Sequence, residues 1–257
     1  MYIVQRKALM LDLLQKKQMG SVNDLAAELN VSKETIRRDL KDIEQEGLIK
    51  RTHGGAVLIK KSANNSENPF TVRAMQHHEE KLALCKKAAE LIADGDTIFI
   101  DNSSTTLNIL KHINPSHHVT VLTNSIRLLL ESVQLDNSNL ILISSGGIFR
   151  PGNFSLTGTL ANDWVKNFRP NKMFFSCHGV DIAGGLTDGS IYETDVKRAM
   201  IQYSQKTYLL TDHSKFGRQG VVFLAGIRDI NHILTNSQLD PDMQQTLLSY
   251  GVNLIVV

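Results

Sequence analysis

Short apolar runs recur through the later part of this chain, and they constrain its fold more than any other feature. Thr97-Ile98-Phe99-Ile100, Val119-Thr120-Val121-Leu122, Leu140-Ile141-Leu142-Ile143, Lys172-Met173-Phe174-Phe175, Thr207-Tyr208-Leu209-Leu210 and His232-Ile233-Leu234-Thr235 are too short for buried helices, and Asn253 to Val257 adds a further run. Continuous apolar runs of this length suit strands covered on both faces. They alternate with helical stretches, the first from Glu79 to Ala93 with Leu82, Cys85, Ala89 and Ile92 on one face. Leu160, Trp164 and Phe168 repeat at four and read as the core side of another helix. Such alternation predicts an α/β domain with a doubly wound, mostly parallel sheet. Ligands of such sheets sit beyond the carboxyl ends of the strands.

The first sixty residues follow a different period. Leu25 and Leu29, then Ile36, Leu40 and Ile43, fall on helical faces on either side of a tight junction at Asn30-Val31. Ser21 with Asp24, and Ser32 with Thr35, place capping hydroxyls where two helices should start. Gly47 suits the stop of the second. An earlier helix, from about Tyr2 to Lys17, supplies Leu9, Leu13 and Leu14 as a third wall. With the apolar stripe buried, Lys33 and Arg37 form one outward stripe, and Glu34, Arg38 and Lys41 form another, diluted by Asp39 and Asp42. Leu48 to Thr52 and Ala56 to Ile59 then read as two strands around the turn His53-Gly54-Gly55, with Arg51 on the hairpin and His53 positioning the turn.

Together these predict an N-terminal winged helix-turn-helix (α+β) whose second helix can enter a DNA major groove. Ser32, Lys33, Glu34, Thr35, Arg37, Arg38, Lys41, Arg51 and His53 are its candidate DNA-binding residues. Charge agrees: residues 1–61 carry 12 Lys and Arg against 8 Asp and Glu, whereas the rest carry 16 against 18. Binding to duplex phosphates needs such a bias. Its small size predicts that tight binding takes more than one copy. The polar stretch Lys60 to Pro69 reads as a linker, which sets a DNA-binding domain at 1–59, a linker at 60–70 and a larger domain at 71–257.

Polar residues collect at the strand ends of the larger domain. The first strand runs into Asp101-Asn102-Ser103-Ser104-Thr105-Thr106 and an expected helix at Leu107-Asn108-Ile109-Leu110, a pattern that can seat a phosphate. The second ends at Thr123-Asn124-Ser125, the third at Ser145-Gly146-Gly147 with Arg150 beyond, and the fifth at Thr211-Asp212-His213-Ser214-Lys215. Such a hydroxyl-rich, partly cationic site suits a phosphorylated polyol. No run of 18 apolar residues suggests a membrane span, and the N-terminus lacks a signal layout, so a cytoplasmic setting is expected. The two cysteines, Cys85 and Cys177, imply no disulfide framework. Adjacent pairs such as His77-His78 and His117-His118 point apart, so neither a metal site nor a cofactor is expected. Cys177 and His178 read as supports of the pocket edge, and Phe216 as either a lid or an oligomer contact.

Several segments, in order, resemble the DeoR-type family of bacterial transcriptional regulators over nearly the whole chain. They are Thr35-Ile36-Arg37-Arg38-Asp39-Leu40, Arg51-Thr52-His53-Gly54-Gly55-Ala56, Thr123-Asn124-Ser125, Val196-Lys197-Arg198-Ala199-Met200 and Asp212-His213-Ser214-Lys215-Phe216-Gly217. The resemblance implies a C-terminal domain similar to ribose-phosphate isomerases and CoA transferases. It also implies operator DNA as a partner, a phosphorylated sugar effector, repression of a carbohydrate operon, and a homodimer or homotetramer. It makes Asp101, Asn102, Ser103, Ser104, Thr105 and Thr106 the phosphate loop, with Asn124, Gly146, Gly147, Arg150, Lys197, Asp212 and Lys215 around the effector. Ser104 stands where the family has Gly, and Ser176-Cys177-His178 where it tends to have Gly after the Phe. The alternative is a sugar-phosphate isomerase-like enzyme with an attached DNA-binding module. Asp101, Asp181, Glu193 and Asp212 are its candidate bases.

Overall fold

The computed structural model describes residues 3–17, 19–45, 49–58 and 70–257. Its contacts divide the chain into two units, one ending at Gln76 and the other beginning at His77.

The first unit runs α1 (Ile3–Lys17), β1 (Met19–Ser21), α2 (Val22–Leu29), α3 (Lys33–Gln45), β2 (Ile49–Thr52), β3 (Gly55–Leu58) and α4 (Phe70–Met75). Ser21 Oγ accepts from Asp24 N (3.1 Å) to open α2, and Ser32 Oγ accepts from Thr35 N (3.2 Å) to open α3. Asn30 turns left-handed between them, with φ 51°. Leu25, Leu29, Ile36, Leu40 and Ile43 are all buried, as their spacing predicts. On α1 the inward stripe is Met10, Leu11 and Leu14; Leu13 is only partly buried and Leu9 is exposed, because 3.6-residue winding rotates them away from that stripe. The wing strands pair in the order β1-β3-β2. α4 belongs here by its packing, since Val72 sits in this unit's core. The expected helix stop at Gly47, the strand ends Leu48 and Ile59, the start at Tyr2 and the linker from Lys60 to Pro69 lie outside the described residues.

The second unit runs α5 (His78–Glu90), β4 (Thr97–Ile100), β5 (Val119–Thr123), α6 (Ile126–Ser132), β6 (Leu140–Ser144), β7 (Ile148–Arg150), β8 (Ser155–Thr157), α7 (Thr159–Val165), β9 (Lys172–Phe175), β10 (Gly179–Asp181), β11 (Gly185–Asp188), α8 (Ile191–Tyr203), β12 (Lys206–Leu210), β13 (Val222–Ala225), β14 (His232–Thr235), α9 (Pro241–Ser249) and β15 (Asn253–Val256). Seven strands form one sheet in the order β15-β14-β12-β9-β4-β5-β6, and every pair in it is parallel. Alternate side chains serve opposite faces. Ile98, Ile100, Phe174 and Leu210 pack with Leu84 of α5 and Leu128 of α6. Phe99, Phe175, Leu209 and Ile233 pack with Val165 of α7, Val196 of α8 and Leu247 of α9.

The sheet is therefore doubly wound, as the apolar runs predict. The chain leaves β4 toward β5 and β6, then returns to the other side of β4 for β9, β12, β14 and β15. The order reverses between β4 and β9, where open α/β sheets place ligands.

Three expectations need correction. The segment after Thr106 forms only a 3-10 turn, Ile109–His112, not the expected helix from Leu107. The hydroxyls of Ser103 and Thr106 bond back to the loop itself and compete with helical hydrogen bonding. The antiparallel pair β7-β8 and the small sheet β10-β11-β13 had no counterpart in the sequence reading. Leu160 is 73% exposed, while Trp164 and Phe168 pack partly against the core.

Candidate functional site

The exposed face of α3 carries Lys33, Glu34, Arg37, Arg38 and Lys41, with Ser32 at its cap. Thr35 is half-buried, its Oγ1 2.9 Å from Ser32 Oγ. Both residues thus shape the helix start. Of the two acids that should dilute this face, Asp39 does not share it. Asp39 is 2% exposed and turned toward α1, where Arg6 Nε donates to Oδ2 (2.5 Å) and Nη2 to Oδ1 (3.2 Å). Asp42 Oδ2 lies 2.8 Å from Lys7 Nζ, also on α1. Glu34 is the remaining acid on the outward stripes, 3.1 Å from Arg37.

The wing presents Arg51 and His53 to solvent. Val22 N donates to Gly54 O (2.8 Å), and Arg51 N donates to Glu44 Oε1 (2.9 Å), tying the wing to α2 and α3. Gly55 is required by packing: a Cβ there would stand 2.1 Å from Gly20 O on β1.

At the other unit the carboxyl ends of neighbouring strands converge. Asp101, after β4, is buried. Its Oδ1 accepts from Ser103 N (3.1 Å) and Thr106 Oγ1 (2.8 Å), and its Oδ2 accepts from Ser176 N (3.2 Å), after β9. Lys197 of α8 reaches the same point. Its Nζ donates to Ser176 O (2.7 Å) and Asp188 Oδ2 (2.6 Å) and lies 3.2 Å from Asp101 Oδ2. Burial alone would pull this ammonium down, but Asp188 and Asp101 hold its pKa above the ordinary lysine value. The ammonium thus donates two hydrogen bonds and pairs with a second carboxylate. Lys197 therefore binds β4, β9 and β11 together.

Asp212, after β12, accepts from Ser214 N (3.0 Å) through Oδ1. Burial pushes its carboxyl up, but Ser214 and the nearby His77, Lys215 and Lys81 hold it below the usual carboxylate range. Lys81 of α5 is 3% exposed, and its Nζ donates to Ser104 Oγ (3.3 Å). Ser176 Oγ, Asn124 Oδ1 and Asp212 Oδ2 are buried with no hydrogen-bond partner among the described residues. They follow β9, β5 and β12, all beside or next but one to β4. Buried polar atoms normally find partners. A ligand bearing several hydroxyls could supply them.

A profile of the DeoR C-terminal sensor domain matches residues 76–237, and one of the DeoR-like helix-turn-helix domain matches residues 6–62. The chain belongs to the DeoR family of transcriptional regulators. It is 33% identical over 258 residues to the HTH-type transcriptional regulator YulB of Bacillus subtilis, covering 100% of this chain and 98% of that one. It is 29% identical over 250 residues to the glycerol-3-phosphate regulon repressor of Escherichia coli, covering 97% of each. Among solved structures, ribose 5-phosphate isomerase A from Methanocaldococcus jannaschii aligns with 55% of each chain at 15% identity and a TM-score of 0.41.

In this DeoR-family chain the other candidate residues take distinct places. Asn102 is buried, and its Nδ2 reaches Asn153 O (3.5 Å). Thr105 gives its carbonyl to Cys85 Sγ (2.9 Å). Asn124 clamps β8, donating Nδ2 to Leu156 O (3.2 Å) and accepting Leu156 N (2.8 Å) on its own carbonyl. Arg150 Nε lies 3.1 Å from Glu193 Oε1, and its guanidinium stacks over Tyr192. Gly146 and Gly147 have φ of 64° and 106°, and a Cβ at Gly147 would meet Thr157 O at 2.5 Å. They serve the turn into β7. Lys215 is half-buried in the 3-10 turn after Asp212.

Phe216 packs partly against the core and bridges Val180. Burial pushes the Cys177 thiol up to about 12, so it stands as a neutral support beneath the cluster. Of the candidate bases, Asp181 accepts the turn amides of Ala183 and Gly184. Glu193 anchors the β7-β8 hairpin through Ser155 Oγ (2.8 Å), Asn153 Nδ2 (3.2 Å) and Arg150. Among the described residues no group of three His, Cys, Asp or Glu side chains could hold a metal, and no helix is long and apolar enough to cross a membrane.

Sequence reasoning missed Lys81, Ser176 and Asp188. Lys81 did carry a signal: it lies on the stripe of Leu84, Cys85 and Ala88, where a lysine must find a buried partner. Its partner is Ser104, in the loop after β4. Asp188 carried no signal, because its partner comes from another element.

Proposed function

We propose that this chain represses a carbohydrate-utilisation operon, and that a phosphorylated sugar or polyol bound at the β4–β9 edge controls its hold on operator DNA. The DNA-binding module lies within the unit that ends at Gln76, and the effector and oligomerisation domain is the unit that begins at His77. α3 enters the major groove with Lys33, Arg37, Arg38 and Lys41, and the wing adds Arg51 and His53. The repressors among its relatives support the sign of regulation.

One observation supports the effector class above the others. Ser176, Asn124 and Asp212 leave buried polar atoms unpartnered along neighbouring strand ends, with the cation Lys81 beside Ser104. Lys81, which reaches Ser104 of the phosphate loop, is the cation for the phosphate. The chain acts in the cytoplasm as a homodimer or homotetramer, since one weakly basic module supports only weak binding and paired half-sites take paired copies.

The test is fluorescence anisotropy of the full chain on its own upstream DNA against a panel of phosphorylated sugars and polyols. Specific binding released by one compound is expected. Arg37→Ala and Arg38→Ala should each weaken operator binding, by about 1–3 kcal/mol for a lost base contact, without lowering the melting temperature. Near-normal binding by both variants would sink the assignment of α3 as the reading helix.

A further inference from the structure

The candidate effector site and the boundary between the two units meet at one residue. His77 opens the second unit and stands between α4 and the start of α5 at His78. Its backbone is left-handed, with φ 52° and ψ 44°, and it caps α5 with no side-chain hydrogen bond. Residues other than Gly rarely take this conformation, and Asn, Asp and His take it most readily. Helical hydrogen bonds close on either side, from Gln76 N to Val72 O (3.2 Å) and from Lys81 N to His77 O (3.0 Å). His77 is thus the break in the path. Because Val72 belongs to the core of the first unit, this break is the covalent joint between the DNA-binding unit and the sensor.

The joint is held by the strand ends where a ligand would sit. The His77 ring meets the His213 ring edge to face, with centroids 5.5 Å apart and planes at 88°. His213 follows Asp212, and Asn236, just past β14, holds it by accepting His213 N on Oδ1 (2.7 Å) and placing Nδ2 3.0 Å from its Nδ1. One turn along α5, Lys81 reaches Ser104 in the phosphate loop. The first turn of α5 is therefore tied twice to the site, once by the joint residue itself.

We propose that His77 relays the state of the effector site to the DNA-binding unit. A phosphorylated ligand that engages Lys81 and the Asp212 loop resets the His213–His77 contact. That turns the first turn of α5 and changes the direction in which the chain leaves the sensor. A joint of a few residues at element ends is where such motions concentrate, and the ligand acts through its different affinity for the two settings. The relay rests on the reading of the strand edge as the effector site.

The test uses the full chain and three variants. His77→Asn keeps a residue tolerant of the left-handed backbone and removes the ring. His213→Ala removes the other ring, and His213→Phe restores an aromatic partner. Operator affinity is measured by anisotropy with and without glycerol 3-phosphate or inorganic phosphate, and binding of the same two probes by calorimetry. Allosteric couplings amount to about 5–150-fold. His77→Asn should bind the probe as the wild type does and lose that change in operator affinity; His213→Ala, in the site's own loop, should lose the change even at probe concentrations that saturate it by calorimetry. His213→Phe should keep most of it. Full transmission through both His77→Asn and His213→Ala would overturn the relay while leaving the effector site in place. If neither probe binds the wild-type chain, the effector-site reading falls and the relay falls with it.

Discussion

Replacing Lys197 by Ala removes the one cation placed between two buried carboxylates. Asp101 and Asp188 both face its Nζ, at 3.2 and 2.6 Å, and all three side chains are no more than 10% exposed. Deleting one partner of a buried ion pair costs about 3–5 kcal/mol, because the remaining charge stays out of water. Two carboxylates are stranded here, so the upper part of that range applies. The sign with pH follows from the direction of each shift. In the wild type the Lys197 pKa is raised, so its contribution is complete below the unfolded lysine value of about 10.4 and is lost only as pH rises through the folded value. Wild-type stability from this contact is therefore flat through neutral pH.

In the variant the two carboxylates stay buried with no cation between them. The destabilisation should be full at neutral pH and shrink as acid protonates them in the folded state. Urea unfolding followed by Trp164 reads this directly, because the chain's single Trp packs between Phe99 and Phe168 in the same unit. A loss below about 0.5 kcal/mol at pH 7, within the range of ordinary surface changes, would refute the reasoning. So would a loss that grows on acidification. Adding Asp188→Asn to Lys197→Ala should recover part of the stability.

Three further predictions follow from the geometry. Asp39→Ala strands Arg6 and should destabilise the first unit by about 3 kcal/mol, whereas Asp42→Ala should leave the melting curve unmoved; equal effects would contradict the inward placement of Asp39. Gly55→Ala forces a Cβ against Gly20 O and should lower both the melting temperature and operator affinity, while Gly54→Ala, with nothing within 4 Å of its Cβ, should do neither. Burial raises both Cys85 and Cys177 to about 12, so neither thiol should react with iodoacetamide at pH 8 until the chain is unfolded; rapid native labelling would show that the site is open to solvent.

Much of this architecture can be read from local pattern. Ile36, Leu40 and Ile43 recur at the helical period, and burial follows from winding alone. The apolar runs from Thr97 to Thr235 form strands because runs so short and so uniformly apolar need cover, which only the edge strand β6 lacks at Ile141, 60% exposed. Their alternation with helices makes the sheet parallel, and the parallel sheet puts Asp101, Asn124 and Asp212 on one edge.

Local pattern does not reach interactions whose partners lie far apart in the chain. Asp39 reads as one more charge on a helix until Arg6, 33 residues earlier, turns it inward and leaves the outward stripes more basic than their composition. Lys197 reads as a ligand-binding cation until Asp101, Ser176 and Asp188 close around its ammonium. Lys81 could have been flagged as a buried lysine, but its role waits on the loop that brings Ser104 to it. Period and composition act over one or two turns and so determine which elements form and which faces they bury. The role of a charge depends on the field of its neighbours, and those neighbours are chosen only when the strands assemble.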